Sequence, residues 1–371
     1  MWVRLLCVLA CALSASATEQ LKQHEALLQL ASSSPDEGWE AWKSLHKKSY
    51  DTQEQHLNRK GVFHQNVDFI KGHMKEHPNI QMALNEFADE TWEEFSKKRL
   101  GFNGDVAQEL RKQKLASNAP QPFSHADAVA PESRDWRDLN AVTGVKNQGQ
   151  CGSCWSFATT GAIEGINAIK TGNLVSLSEQ QLVDCDTKTD MGCGGGLMDF
   201  AYQYVKENGG LDTEEDYAYW SGFGLTLWAC NRRKEADRTV VTISSYEDVP
   251  QGEENLMKAV AMQPVSVGIC ASATLQFYAG GILDKCCEGL NHGVLAVGYG
   301  TEADGTPYWI VKNSWGQAWG DQGYFKLKRN TGGGGLCGIA TTASYPVKNE
   351  PNHAVPEVRG CRRSTMVADG M

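Results

Sequence analysis

The chain has 371 residues, 41% hydrophobic and 22% charged. This is an ordinary globular mixture that excludes wholesale disorder and a collagen-like fibre and leaves room for two or three domains. A formal net charge of −10 argues against nucleic acid as a partner, because such proteins present a basic patch or stripe, and it makes acidic substrates unattractive.

The strongly apolar run from Leu5 to Leu13, after Arg4, is too short to span a bilayer. Followed by Ala15-Ser16-Ala17, it reads as a secretory signal peptide, residues 1–17, in preference to an uncleaved anchor. Export permits disulfides, and ten cysteines remain once Cys7 and Cys11 are set aside. There is no Asn-x-Ser/Thr sequon to call for N-glycans.

Residues 18–129 contain no cysteine and are rich in Gln, Glu, Lys and His. Trp39, Trp42 and Leu45, then Phe63, Val67, Ile70 and Met74, recur at three and four residues and predict two helices, the second ending at His77-Pro78. A strand-like run from Ile80 to Phe87 follows, and Thr91 with Glu94 forms a capping box for a third helix reaching Leu100. Residues 103–129, with Asn103-Gly104, Asn118-Ala119-Pro120 and Pro122, read as an exposed linker open to proteolysis.

From Ala130 onward Gly, Trp and Cys become dense. Helices are predicted from Ser153 to Lys170 and from Ser178 to Val183, then strands at Val240–Ile243, Val265–Ile269, Gly293–Tyr299, Tyr308–Lys312 and Tyr324–Lys328. Helices first and strands second predict an α+β body of two lobes over residues 130–349. Residues 350–371 read as a mobile tail.

Seven of the nine histidines precede Ala130 and His353 lies in the tail, so His292 must supply any imidazole in the second region, where a two-His zinc site is unavailable. The matching nucleophile is Cys154, placed to open a helix. There the helix dipole and a nearby imidazolium favour a thiolate. Cys151-Gly-Ser-Cys154 is also a CxxC, which suits a redox pair or half a zinc knuckle. Those sites would need a βαβ setting or a second CxxC, and neither is present. Taken alone, His292 reads as a satisfied core histidine.

The run Gln148-Gly149-Gln150-Cys151-Gly152-Ser153-Cys154-Trp155, with Asn291-His292-Gly293, Asn313-Ser314-Trp315-Gly316 and Trp319-Gly320-Asp321-Gln322-Gly323-Tyr324 downstream, resembles the papain-like cysteine proteases. The resemblance implies a two-lobed fold with a helical left lobe and an antiparallel, barrel-like right lobe. It implies Cys154 as nucleophile, His292 as acid and base, Asn313 to orient the imidazole, Trp315 to shield that bond, and Gln148 with the Cys154 N–H as oxyanion hole. It also suggests disulfides Cys151–Cys193, Cys185–Cys230 and Cys286–Cys337. Cys270, Cys287 and Cys361 are left unassigned, with a Cys270–Cys361 link as one guess.

Leu197, Met198, Gly268, Leu290, Gly293 and Thr342 are the expected walls of the pocket for P2, the second residue before the cut. None is charged, so an apolar or aromatic side chain should enter. Leu197-Met198 after Gly195-Gly196 looks cathepsin-L-like, and no His-His insertion blocks the cleft, so an endopeptidase is expected. Arg59, Phe63, Asn66 and Ile70, with Asn85-x-Phe87-x-Asp89, resemble the family's inhibitory propeptide. Gln55, Met74 and Ala83 depart from its pattern. Such a segment lies reversed through the cleft until it is cut. Acid is expected to loosen it by protonating carboxylates and charging histidines among His46, His56, His64, His73 and His77, although most of these five read equally as members of a solvated helix face.

The expected protein is a secretory-pathway zymogen, lysosomal, vacuolar or extracellular. It would be monomeric and act on protein or peptide substrates, with no cofactor, metal, nucleic acid or membrane partner. A non-catalytic scaffold and a redox or metal-binding protein are the competing classes.

Overall fold

The computed structural model describes residues 17–117, 122–224, 230–231 and 241–352. The predicted signal peptide up to residue 16, Cys361 and the tail from residue 353 lie outside these residues. The N-terminal region is helical: α1 (Ala17–Ser33), α2 (Pro35–Leu45), α3 (Gln53–Glu76), β1 (Ile80–Met82), α4 (Trp92–Arg99) and α5 (Gly104–Ala116). Pro35 opens α2 and Thr52 caps α3 by accepting from the Gln55 N–H. The predicted capping box of α4 is present, Thr91 and Glu94 satisfying each other's backbone N–H.

Trp39, Trp42 and Phe63 are fully buried, with Phe63 centred 5.3 and 5.2 Å from the two indoles. Gly38 lets α2 press against α1, because a Cβ there would overlap Ala31. The familiar anchors are hydrogen-bonded. Arg59 forks onto Glu94 at 2.6 and 2.8 Å, Asn66 donates to the Ala88 and Glu90 carbonyls, and Asp89 accepts from Tyr50 and Lys48. Gln55 accepts from the Asp51 N–H near the start of α3.

Two expectations for this region are corrected. The strand predicted over Ile80–Phe87 is only Ile80–Met82. The stretch from residue 103, read as linker, opens with α5. Asn103 is its N-cap, accepting from the Val106 N–H, rather than a turn residue. Periodicity missed α5 because it docks through Gly104, Ala107, Arg111 and Lys114 while Val106 and Leu115 face solvent.

The body starts with β2 (Arg134–Asp135). The helical lobe follows: α6 (Cys154–Thr171), buried from Cys154 to Ala168, then α7 (Glu179–Cys185) and α8 (Met198–Asn208). The strand lobe holds β3 (Ser245–Asp248), α9 (Glu253–Met262), β4 (Val265–Ile269), α10 (Ala273–Gln276), β5 (Tyr278–Leu283), β6 (His292–Thr301), β7 (Pro307–Lys312), β8 (Tyr324–Lys328) and β9 (Ser344–Val347). Strand order is β1-β5-β8-β7-β6-β4-β9-β3, with β2 on β6. All pairs are antiparallel except β5–β8.

The strand predicted at Val240–Ile243 is absent among its described residues. Val241 makes an isolated bridge to Leu211, and the strand forms instead at Ser245–Asp248, where β9 supplies a partner. Four disulfides join Cys151–Cys193, Cys185–Cys230, Cys286–Cys337 and Cys270–Cys287, with Cα separations of 4.6, 4.7, 5.1 and 5.7 Å. The guessed Cys270–Cys361 link is therefore wrong, because the loop between β5 and β6 folds back to bring Cys287 to Cys270. The N-terminal edge strand β1 pairs with β5, and Asn85 donates to the Gln276 carbonyl at 2.7 Å, so the aromatics of the N-terminal region and the strand lobe share one core.

Candidate active site

Cys154 is the first residue of α6, so its sulfur sits where unpaired helix N–H groups and the dipole favour negative charge. Across the cleft, His292 opens β6 and Asn313 follows the last residue of β7. The β6–β7 pairing therefore brings imidazole and amide together. His292 Nε2 lies 2.8 Å from Asn313 Oδ1, which also accepts from the Ser314 N–H. An oxygen already accepting one bond takes the second from Nε2–H, and this leaves the lone pair of the neutral ring on Nδ1. The Trp315 indole stacks on His292 at 4.7 Å, covering that bond.

Gln148 is buried and fixed at both ends of its amide. Its Oε1 accepts from Ser314 Oγ at 2.7 Å, while Nε2 donates to the Cys151 carbonyl at 2.7 Å and to the carbonyl of Arg99, the last residue of α4, at 2.8 Å. Tyr219 steadies the same loop by donating to the Gln148 carbonyl.

From Arg99 the prodomain runs directly over the nucleophile. Gly101 packs so tightly on Gly152 that a side chain would overlap its carbonyl oxygen, and its own carbonyl accepts from the Gly196 N–H at 2.8 Å. The Phe102 N–H donates to the Asn291 carbonyl, and the Phe102 ring lies against Gly268 and Thr342. Leu197, Met198 and Thr342 line the remaining space around that ring, with Asp199 and the α5 residues Ala107 and Arg111 at its edge, so the expectation of an uncharged surround is corrected at Asp199. Gly293 abuts Met198, and Leu290 forms the rim, its carbonyl accepting from the Gly104 N–H. All six expected pocket residues thus gather around or beside Phe102. Arg99, Gly101 and Phe102 were not foreseen as site residues, and the only sequence signal was their place just beyond the third predicted helix.

Enclosure sets the charge state. Burial pushes the Cys154 thiol up from its ordinary value, against the opposing pull of the Gly293 and Gly101 N–H groups. Burial pushes His292 down to about 4, with Asn313 pulling the other way. Under this cover both shifts favour the neutral thiol and the neutral imidazole.

The domain described as papain family cysteine protease matches residues 130–347. The chain belongs to the papain family of cysteine proteases. The cathepsin propeptide inhibitor domain (I29) matches residues 39–95, so this papain-family endopeptidase carries its own inhibitory propeptide. It is 47% identical over 336 residues to cysteine protease XCP2 of Arabidopsis thaliana, covering 90% of this chain and 89% of that one. It is 46% identical over 347 residues to cysteine proteinase EP-B 1 of Hordeum vulgare, covering 90% and 88%. Among solved structures, the proform of the ragweed pollen allergen Amb a 11 superposes with a TM-score of 0.75 at 40% identity, covering 90% of this chain and 98% of that one. Among the described residues no helix is long and apolar enough to cross a membrane.

Proposed function

We propose that this papain-family zymogen hydrolyses internal peptide bonds through Cys154 once the prodomain leaves. The observation that carries the reading is the convergence of Cys154, His292, Asn313 and Gln148 beneath a prodomain carbonyl bound to Gln148. With the cleft open, water reaches the dyad, and the proton passes from Cys154 to His292 Nδ1. Sγ then attacks the peptide carbonyl carbon. The oxyanion accepts from Gln148 Nε2 and the Cys154 N–H, His292 returns its proton to the departing amine as the C–N bond breaks, and a thioester remains. Water deprotonated by His292 hydrolyses that thioester and restores the thiol. Asn313 holds the ring in the tautomer each step needs.

The pocket occupied by Phe102 receives the substrate's P2 side chain, apolar or aromatic by the character of its walls. A substrate with P2 there and its carbonyl on Gln148 runs from the pocket to the nucleophile. The prodomain runs the other way, Arg99 before Phe102, so it fills both positions without presenting a scissile bond to Sγ. We assign the enzyme to the secretory pathway, in a vacuolar or lysosome-like compartment or after release, acting as a monomer. The presence of a KDEL-tailed cysteine endopeptidase of Arabidopsis thaliana among its relatives supports that route.

The test is hydrolysis of a dipeptidyl fluorogenic substrate with Phe or Leu at P2 after acid processing. Wild type should be active and Cys154→Ala inactive. Gln148→Ala should lose about 10²–10³ in turnover. A correctly processed, reduced wild type without activity would transfer the chain to a binding or scaffolding role.

A further inference from the structure

Beyond Phe102, α5 lays two cations on the catalytic body. Arg111 donates to the carbonyl oxygens of Val249 and Ala343, with its guanidinium 3.6 Å from Asp248. Lys114 Nζ sits 2.9 Å from both Asp199 and Asp248 and 5.1 Å from the centre of the Tyr246 ring. The receiving groups all belong to the body, and the cations all belong to the prodomain. With the cations docked, the Asp199 and Asp248 side chains are 17% and 15% exposed. Asp199 also lines the space around Phe102, so this acidic floor is continuous with the P2 pocket.

Burial would raise Asp199, but Lys114 and Arg111 hold it below its ordinary value. Burial and the charge of Asp199 raise Asp248. Removal of α5 leaves two adjacent carboxyl groups without their counter-ions and the Val249 carbonyl without its donor, while the Ala343 carbonyl keeps the Val249 N–H; an incoming cation restores the lost pairing.

We propose that the mature enzyme has a cation-binding subsite, made of Asp199, Asp248, the Tyr246 ring and the Val249 and Ala343 carbonyls, that takes a lysine or arginine side chain of the substrate. The inference rests on the proposed protease reading and names a further class of substrate for it. Arg111 lies seven residues along a helix from Gly104, about 10 Å at 1.5 Å per residue. An extended peptide covers that distance in about three residues. Because substrate and prodomain run in opposite directions, the basic residue falls upstream of P2, at about the fourth or fifth residue before the cut. The site thus reads an apolar P2 together with a basic side chain further upstream.

The experiment compares two peptides cleaved by the mature enzyme, both with Phe at P2, one with Lys and one with Ala at the fourth and fifth residues before the cut. Wild type should show a KM about three- to tenfold lower for the lysine peptide at low ionic strength. That preference should shrink in about 0.5 M salt, as it should for a rim charge. Asp248→Asn should bring the ratio of the two KM values towards one, and Asp248→Glu should retain a preference. Equal KM values in wild type, or a preference that survives Asp248→Asn and salt, would overturn the subsite. Failure to cleave either peptide would instead overturn the protease reading. The salt series on wild type needs no variant to fold.

Discussion

Prodomain and catalytic body meet over one cleft but are stabilised by different means. The body is tied by four disulfides, and α6 is buried along most of its length. The prodomain contains no cysteine and depends on the Trp39–Trp42–Phe63 cluster, ion pairs such as Arg59–Glu94 and Arg99–Glu90, and docking to β5 and the cleft. One region keeps its shape when conditions change, and the other holds by contacts that acid or a single substitution can weaken. The difference is expected to let the prodomain loosen while the catalytic geometry persists.

The contrast is broken most severely from inside the prodomain. In a Cys154→Ala background, which prevents self-cleavage, Phe63→Ala should cost about 3–5 kcal/mol of prodomain stability through the cavity it leaves. Calorimetry should then resolve an early prodomain transition from a later, unmoved one for the body; a single joint shift would show that the two regions unfold together. Next in size, Gly101→Ala should weaken docking by about 1–3 kcal/mol through overlap with Gly152, and the isolated prodomain variant should inhibit the mature enzyme less. Unchanged inhibition would mean that the segment over Cys154 contributes little.

The smallest effect concerns pH. Burial lowers His24 and His46 to about 4. Because their docked values lie below the unfolded value, the stability they contribute is complete above about 6.5 and is lost as pH falls towards 4. Glu90 and Glu94 are held below the ordinary carboxylate value, Glu90 by Arg99 against its burial and Glu94 by Arg59. Their contribution is present above about 4.5 and fades below it. Both kinds of group release the prodomain on acidification. His24→Gln with His46→Gln should move the midpoint of processing down by a few tenths of a pH unit. Processing at an unmoved midpoint would leave the carboxylates as the trigger.

Chemistry was easier to read in the sequence than docking. Cys154, His292 and Asn313 stand in distinctive motifs because nucleophile, base and orienting amide must be particular residue types, and the α+β class followed from the order of apolar periods. Arg99 escaped because its backbone carbonyl, not its side chain, meets Gln148, and any residue supplies a carbonyl. The helix after Asn103 escaped because its inward face is small and cationic, without an apolar stripe. His24 escaped because its burial depends on packing between α1 and the body. The adjacent Cys286 and Cys287 allowed either to pair with Cys337 until the loop conformation decided.

Gln148 has two amide hydrogens, and in the closed protein both are already committed, one to Cys151 and one to Arg99. A substrate carbonyl would therefore take the place of the Arg99 carbonyl on Gln148, with the Cys154 N–H as its one added donor. Latency is then expected to behave as an exchange, graded by the concentration of competing peptide. A zymogen surrounded by substrate should open more readily than the same zymogen in buffer alone.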